Sequence, residues 1–199
     1  MNIGLAPQFC DIEAVSSKVS LPVFAQHIDP VKPGAYTGHV TAESVKAAGA
    51  TGTILNHSER MLRLTDIESA LDEARKAELL TVACAGTARL AAAISISEPD
   101  MVAIEPPELI GSGRAVSKTR PEIVSESVSM IRSINKKVKI LCGAGISSGE
   151  DVYAALELGA EGVLVASGVV KAAKPEKVMM DFCQAVRKRE RRFNSSDHL

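Results

Sequence analysis

The sequence predicts an α/β protein of the parallel (β/α) barrel class, and three observations carry that expectation. Seven short runs rich in apolar and β-branched residues recur along the chain. They are apolar almost throughout rather than alternating, the pattern of parallel strands covered on both faces. Helix-like segments separate them, with 20 to 40 residues between strand starts; that repeat suits a barrel. A doubly wound sheet is the competing arrangement, but its usual GxGxxG directly after the first strand is absent. Seven strands are one short of the closed eight-stranded barrel of this class. The expectation is therefore an open barrel with two exposed strand edges.

Taken in order, the strand candidates are Asn2 to Ala6, Pro22 to Gln26, Gly52 to Asn56, Leu80 to Cys84, Met101 to Glu105, Val138 to Cys142 and Gly162 to Ala166. Thr65-Asp66-Ile67-Glu68 reads as a capping box that starts a helix through Ala70, Leu71 and Ala74 to Ala77. Pro121 opens another, running to about Ile134. Ser148-Gly149-Glu150-Asp151 starts a third, with Val152, Ala155, Leu156 and Leu158 on its buried side and Gly159 at its stop. A last helix runs from about Pro175 toward Val186, and the polar tail from Asn194 to His198 reads as frayed.

A chain of 199 residues suits one domain spanning residues 1–199. The 46% hydrophobic and 24% charged residues fit a globular core and its surface. A net charge of -1 gives no general attraction to nucleic acid or to an anionic membrane. The dense basic run from Arg187 to Arg192 reads as a solvated helix end that complements the helix dipole. Cys10, Cys84, Cys142 and Cys183 form no CxxC pair and no cluster with histidine, so buried thiols in a reducing compartment are expected and no metal. Neither a signal peptide nor a membrane-spanning run stands out, which makes the cytoplasm the expected location.

In a barrel, chemistry collects at the C-terminal ends of the strands. Asn56-His57-Ser58-Glu59-Arg60 follows the apolar run Thr53-Ile54-Leu55, a dense polar stretch that needs partners or a ligand. Glu105 ends the apolar strand before it; partial desolvation there would raise its pKa and suit a general base, whereas a salt bridge is the plain alternative. Pro106 to Gly113 carries prolines at one end and glycines at the other, as a lid on defined hinges or an ordinary loop would. Gly143-Ala144-Gly145-Ile146-Ser147 and Ala166-Ser167-Gly168 are small-residue turns after the last two strands. Such turns start helices or receive phosphate, and barrels of this class place phosphate after their last two strands.

These stretches, with Ala6-Pro7-Gln8, Phe24-Ala25-Gln26 and Gly34-Ala35-Tyr36-Thr37-Gly38-His39, follow one another as in a known family. On them the chain resembles triosephosphate isomerase of the archaeal type. The resemblance implies a (β/α)8 TIM barrel that interconverts dihydroxyacetone phosphate and D-glyceraldehyde 3-phosphate through an enediolate, in glycolysis and gluconeogenesis, without a cofactor. It implies that Glu105 is the base and His57 the electrophile. Ile110, Gly145, Ala166 and Ser167 would hold the substrate, chiefly its phosphate, through backbone groups. Asn56 and Glu59 would support the site, Glu59 by pairing with an active-site lysine. Tyr36 and Thr37 would lie in a loop that enters a neighbouring subunit, giving a homodimer or homotetramer.

The family opens with a strand ending in Asn-x-Lys and a first helix, whereas Asn2 to Gln8 matches its second strand. Lys18, Lys32, Lys46 and Lys76 match nothing in that opening motif. The expectation is thus a barrel lacking its first βα unit and its lysine. Three kinds of protein fit: an isomerase whose start was assigned at an internal methionine, a truncated inactive homologue, or a non-catalytic phosphate-binding or assembly protein.

Overall fold

The computed structural model describes residues 2–196, with side chains through residue 192. Six strands form one parallel sheet in sequential order: β1 (Phe24–Ala25), β2 (Gly52–Leu55), β3 (Leu80–Ala85), β4 (Met101–Ile104), β5 (Lys139–Cys142) and β6 (Gly162–Val163). Nine helices lie among the described residues: α1 (Ile12–Ser16), α2 (Ala42–Ala47), α3 (Leu64–Lys76), α4 (Ala88–Ser95), α5 (Val116–Thr119), α6 (Pro121–Ile134), α7 (Gly149–Glu157), α8 (Ser167–Val170) and α9 (Pro175–Ser196). The result is a parallel α/β half-barrel.

Alternation along each strand explains why the runs are apolar on both faces. Ile54, Val82, Cys84 and Ala103 form an inner cluster with Phe24, Met101, Leu141 and Leu164. Their neighbours Leu55, Ala83, Val102 and Ile104 belong to the outer core, which also takes Ile67, Leu71 and Ile94 from the covering helices. Strands β2 to β4 therefore bury both sets of side chains.

The expected seventh strand is corrected. Residues Asn2 to Ala6 join the sheet only through a bridge between Leu5 and Val23. Leu5 N–H donates to the Pro22 carbonyl at 2.9 Å, and Phe24 N–H donates to the Leu5 carbonyl at 2.7 Å. The next rung on either side would need an N–H from Pro7 or from Pro22, and proline has none. The two prolines thus cut the ladder to one unit. The expected strands at Pro22 to Gln26 and Gly162 to Ala166 likewise shrink to two residues each.

Two expectations about helices also change. Thr65 is not a cap: α3 starts at Leu64, its N-cap is Arg63, and no side chain caps it. Arg63 is set there by the preceding turn, whose end is fixed by Leu62 N–H donating to Asn56 Oδ1 at 2.8 Å. The Asp66 and Ile67 amides then close on the Arg63 carbonyl at 3.0 and 2.9 Å. The last helix continues past Val186 through Ser196, so Asn194 to Ser196 are helical rather than frayed; Asp197 and His198 lie outside the described residues. The basic run is not merely solvated, because Arg189 and Arg192 both bridge to Glu157 of α7, at 2.7 and 3.2 Å. Lys188 lies 4.9 Å from the Tyr153 ring centroid. Of the four cysteines, Cys84 and Cys142 are buried, Cys183 is half-buried and Cys10 is exposed.

Other signals hold. Helix α6 starts at Pro121 and stops at Ile134. Ser148 and Asp151 make a reciprocal capping box on α7, and Gly159 takes the left-handed conformation after it (φ 96°).

Candidate active site

The site is built from the turns that follow the C-terminal ends of β2, β4, β5 and β6. After β2 the chain reverses at Asn56, which is buried and adopts φ 56°. Asparagine tolerates that left-handed backbone, and its side chain braces the turn. Its Nδ2 donates to the Cys84 carbonyl at 2.9 Å while its Oδ1 accepts from Leu62 N–H. Both contacts hold the intervening His57 over the end of the sheet. Asn56 is therefore a structural brace of the turn.

His57 is held through one ring nitrogen and faces Glu105 through the other. Glu59 N–H donates to Nδ1 at 3.4 Å, so Nδ1 is the acceptor and the proton of the neutral ring sits on Nε2. Nε2 faces Glu105 Oε2 at 3.6 Å. The Glu59 carboxylate is 3.5 Å from Nδ1, but its side chain is 84% exposed, so that contact is weak.

Glu105 is 6% exposed, at the end of β4, and Oε2 has no hydrogen-bond partner among the described residues. Burial raises its pKa above the ordinary carboxylate value; the Cys84 thiol and His57 pull it back in part, and Glu59 adds to the rise. Burial and the nearby Glu105 charge push the Cys84 thiol well up, so it stays protonated. Among the described residues no Arg or Lys forms an ion pair with Glu105, whose contact of that kind is with His57. Gly143 makes room for the carboxylate, because a Cβ there would collide with Glu105 Oε1 and Cγ. A cavity of about 610 Å³ opens beside Glu105, lined by Asn56, Ser58, Cys84, Glu105 and the start of α4, while His57 does not line it. Gly145, Ala166 and Ser167 do not line it.

The two small-residue turns are brought together. A Cβ on Gly168 would strike the Ile146 carbonyl, so the backbone at the start of α8 packs directly on the turn after β5. Ala144 and Gly145 both take positive φ, 68° and 73°. The lid stretch leaves Glu105 through a short turn at Pro107–Leu109, with Leu109 buried and Ile110 half-buried. Gly111 and Gly113 have φ 68° and 70° with open space around them, so they are needed for backbone angle rather than packing. Tyr36 is 49% exposed, on a loop whose ends are joined by paired hydrogen bonds between Asp29 and Val40.

The sequence reading missed three participants. Cys84 looks like an ordinary strand residue and Gly143 like the first glycine of a small-residue turn, and only the fold sets them against Glu105. Asp29, 9% exposed, accepts from Arg60 and His27 at 3.1 and 3.2 Å and ties the His57 turn to the Tyr36 loop. The sequence signal for Asp29 is slight, an acid two residues after a histidine in a mostly apolar stretch.

Comparison with known proteins supplies the remaining evidence. The family model described as triosephosphate isomerase matches residues 1–186. The triosephosphate isomerase of Methanosarcina acetivorans is 53% identical over 94% of this chain and 84% of its own length. That of Methanocaldococcus jannaschii is 48% identical over 94% of this chain and 85% of its own.

Proposed function

The chain belongs to the triosephosphate isomerase family, and on that premise we propose that Glu105 and His57 carry the interconversion of dihydroxyacetone phosphate and D-glyceraldehyde 3-phosphate. The carrying observation is the 3.6 Å approach of His57 Nε2 to a buried carboxylate whose Oε2 is otherwise unpartnered. A carboxylate that is poorly solvated and unpaired is a stronger base than one in water. Glu105 takes a proton from one substrate carbon and returns it to the next. His57, with its proton on Nε2, donates to the substrate oxygens as charge builds up on the enediolate. Ile110 and the turns at Gly145 and at Ala166-Ser167 hold the substrate, chiefly by its phosphate, and the lid from Pro106 to Gly113 keeps water from the intermediate.

The half-barrel is read as part of an eight-stranded (β/α)8 architecture, supported by the family and by the parallel sequential strand order. The exposed Tyr36 loop supports a homo-oligomer, dimer or tetramer. No helix among the described residues is long and apolar enough to cross a membrane, and the cytoplasm suits a glycolytic enzyme.

The test is exchange of the substrate's carbon-bound protons in D₂O, followed by NMR with dihydroxyacetone phosphate, together with isomerisation. Glu105→Asp, which retracts the base by about 1 Å, is expected to lower both rates at least about a hundredfold. His57→Ala is expected to lower isomerisation while leaving the fold intact. Near-normal rates in either variant would show that the wrong residue carries the step.

A further inference from the structure

The amides that start α7 are already used. Ser147 N–H and Ser148 N–H both donate to Asp151 Oδ2, at 3.1 and 3.0 Å, and the Ser147 hydroxyl joins them at 3.3 Å. Gly149 N–H donates to Asp181 Oδ2 at 2.5 Å, and Asp151 N–H donates to Ser148 Oγ at 3.3 Å. Two carboxylates thus occupy the positive end of this helix, which leaves it poorly suited to receive a further anion. One residue earlier the picture changes: among the described residues no acceptor takes the N–H of Gly145 or Ile146. The anion-receiving part of the turn is the stretch before the helix.

That stretch is clamped from the lid side. Asp151 Oδ1 accepts from Lys118 Nζ at 2.9 Å, and Ser117 Oγ donates to the Asp151 carbonyl at 3.0 Å. Val116 N–H donates to the Ala144 carbonyl at 3.2 Å. Gly145 lies so close to the lid's downstream arm that a Cβ would collide with the Arg114 carbonyl. Asp151 is 5% exposed, so one buried carboxylate holds the turn with one oxygen and the arm with the other.

Resting on the phosphate placement proposed above, we infer that Lys118 and Asp151 are positioning residues that lock the lid's downstream arm to the phosphate turn, which presents the Gly145 and Ile146 amides to the anion. Lys118 also balances the negative charge of Asp151, which would otherwise face a phosphate through one layer of backbone.

The experiment titrates inorganic phosphate into the ¹⁵N-labelled protein and reads amide shifts. In the unaltered chain, Gly145 and Ile146 are expected to shift while Ser147 and Ser148 stay in place, bound to Asp151. Lys118→Met is expected to weaken phosphate about tenfold, the size of a lost charge-assisted contact, with the unfolding midpoint little changed. Lys118→Arg, which keeps the donor and the charge, should bind within about twofold of the unaltered chain. Lys118→Gln serves as a second variant should the methionine disturb folding. Unchanged affinity in the folded Lys118→Met and Lys118→Gln variants, or shifts centred on Ser147 to Gly149, would overturn the inference alone. No phosphate shift at either turn in the unaltered chain would overturn the placement on which it rests.

Discussion

At the scale of single residues, the proposed chemistry depends on a carboxylate kept short of partners. Glu105 is charged at a higher free-energy cost than in water, so its pKa is raised. The sign for stability follows from proton linkage. Between the ordinary carboxylate pKa and the raised folded value, the native state holds a proton that the unfolded chain has lost, so stability falls as pH rises through that window. Glu105→Gln removes the titration. It should raise the unfolding midpoint at neutral pH, with the gain vanishing below about pH 4; scans at several pH values would check this, and an equal gain at every pH would refute it. Gly143→Ala is expected to push Glu105 aside and lower turnover by about two orders of magnitude with little change in substrate binding. Steady-state kinetics separate the two quantities. Of these residues, Glu105 and His57 were legible in the sequence because each is a polar group after an apolar strand. What Gly143 and Cys84 touch was not, since a glycine that opens a small-residue turn and a cysteine in an apolar run carry no mark of their distant neighbours.

At the scale of elements, local signals succeeded where the cap is made by near neighbours and failed where a distant contact places the start. Ser148 and Asp151 satisfy each other across three residues, so the start of α7 was readable. Thr65 has the same local pattern, yet the Asn56 side chain fixes Leu62 and the helix begins at Leu64 instead. The two cases predict opposite outcomes in urea unfolding. Ser148→Ala should cost about 1 kcal/mol through loss of the cap, whereas Thr65→Ala should change stability by less than about 0.5 kcal/mol. A large loss at Thr65 would mean that the capping box forms after all. The strands at the sheet's margins show the same dependence. Pro7 and Pro22 are plain in the sequence, but only the register of Leu5 with Val23 shows that both fall on the rungs that need an N–H.

At the scale of the whole molecule, the half-barrel has a graded order of support. Strands β2 to β5 pair over four residues at each step, while β1 and β6 pair over two and Leu5 over one. Amide exchange should therefore be slowest in β3 and β4, and fastest at Phe24 and Leu164, where few rungs must open together. Uniform protection across the sheet would contradict that gradient. The His57 turn after β2 and Glu105 after β4, proposed as electrophile and base, stand on the well-paired part. The turn after β6 has less sheet behind it and rests on Gly168 packed against Ile146.

The sequence by itself determined the parallel α/β class and the polar turns, which follow from period, burial pattern and residue type, properties that act over a few positions along the chain. The roles proposed for His57 and Glu105 in proton transfer are those that the resemblance of these turns to the family implies. The tertiary structure decided the count of sheet strands, the start of α3, the space for Glu105 and the use of Asp151. Each of those depends on groups far apart in sequence that meet only when strands are in register. Hydrogen-bond partners and steric room are properties of such pairs, and no single stretch of the chain contains both members.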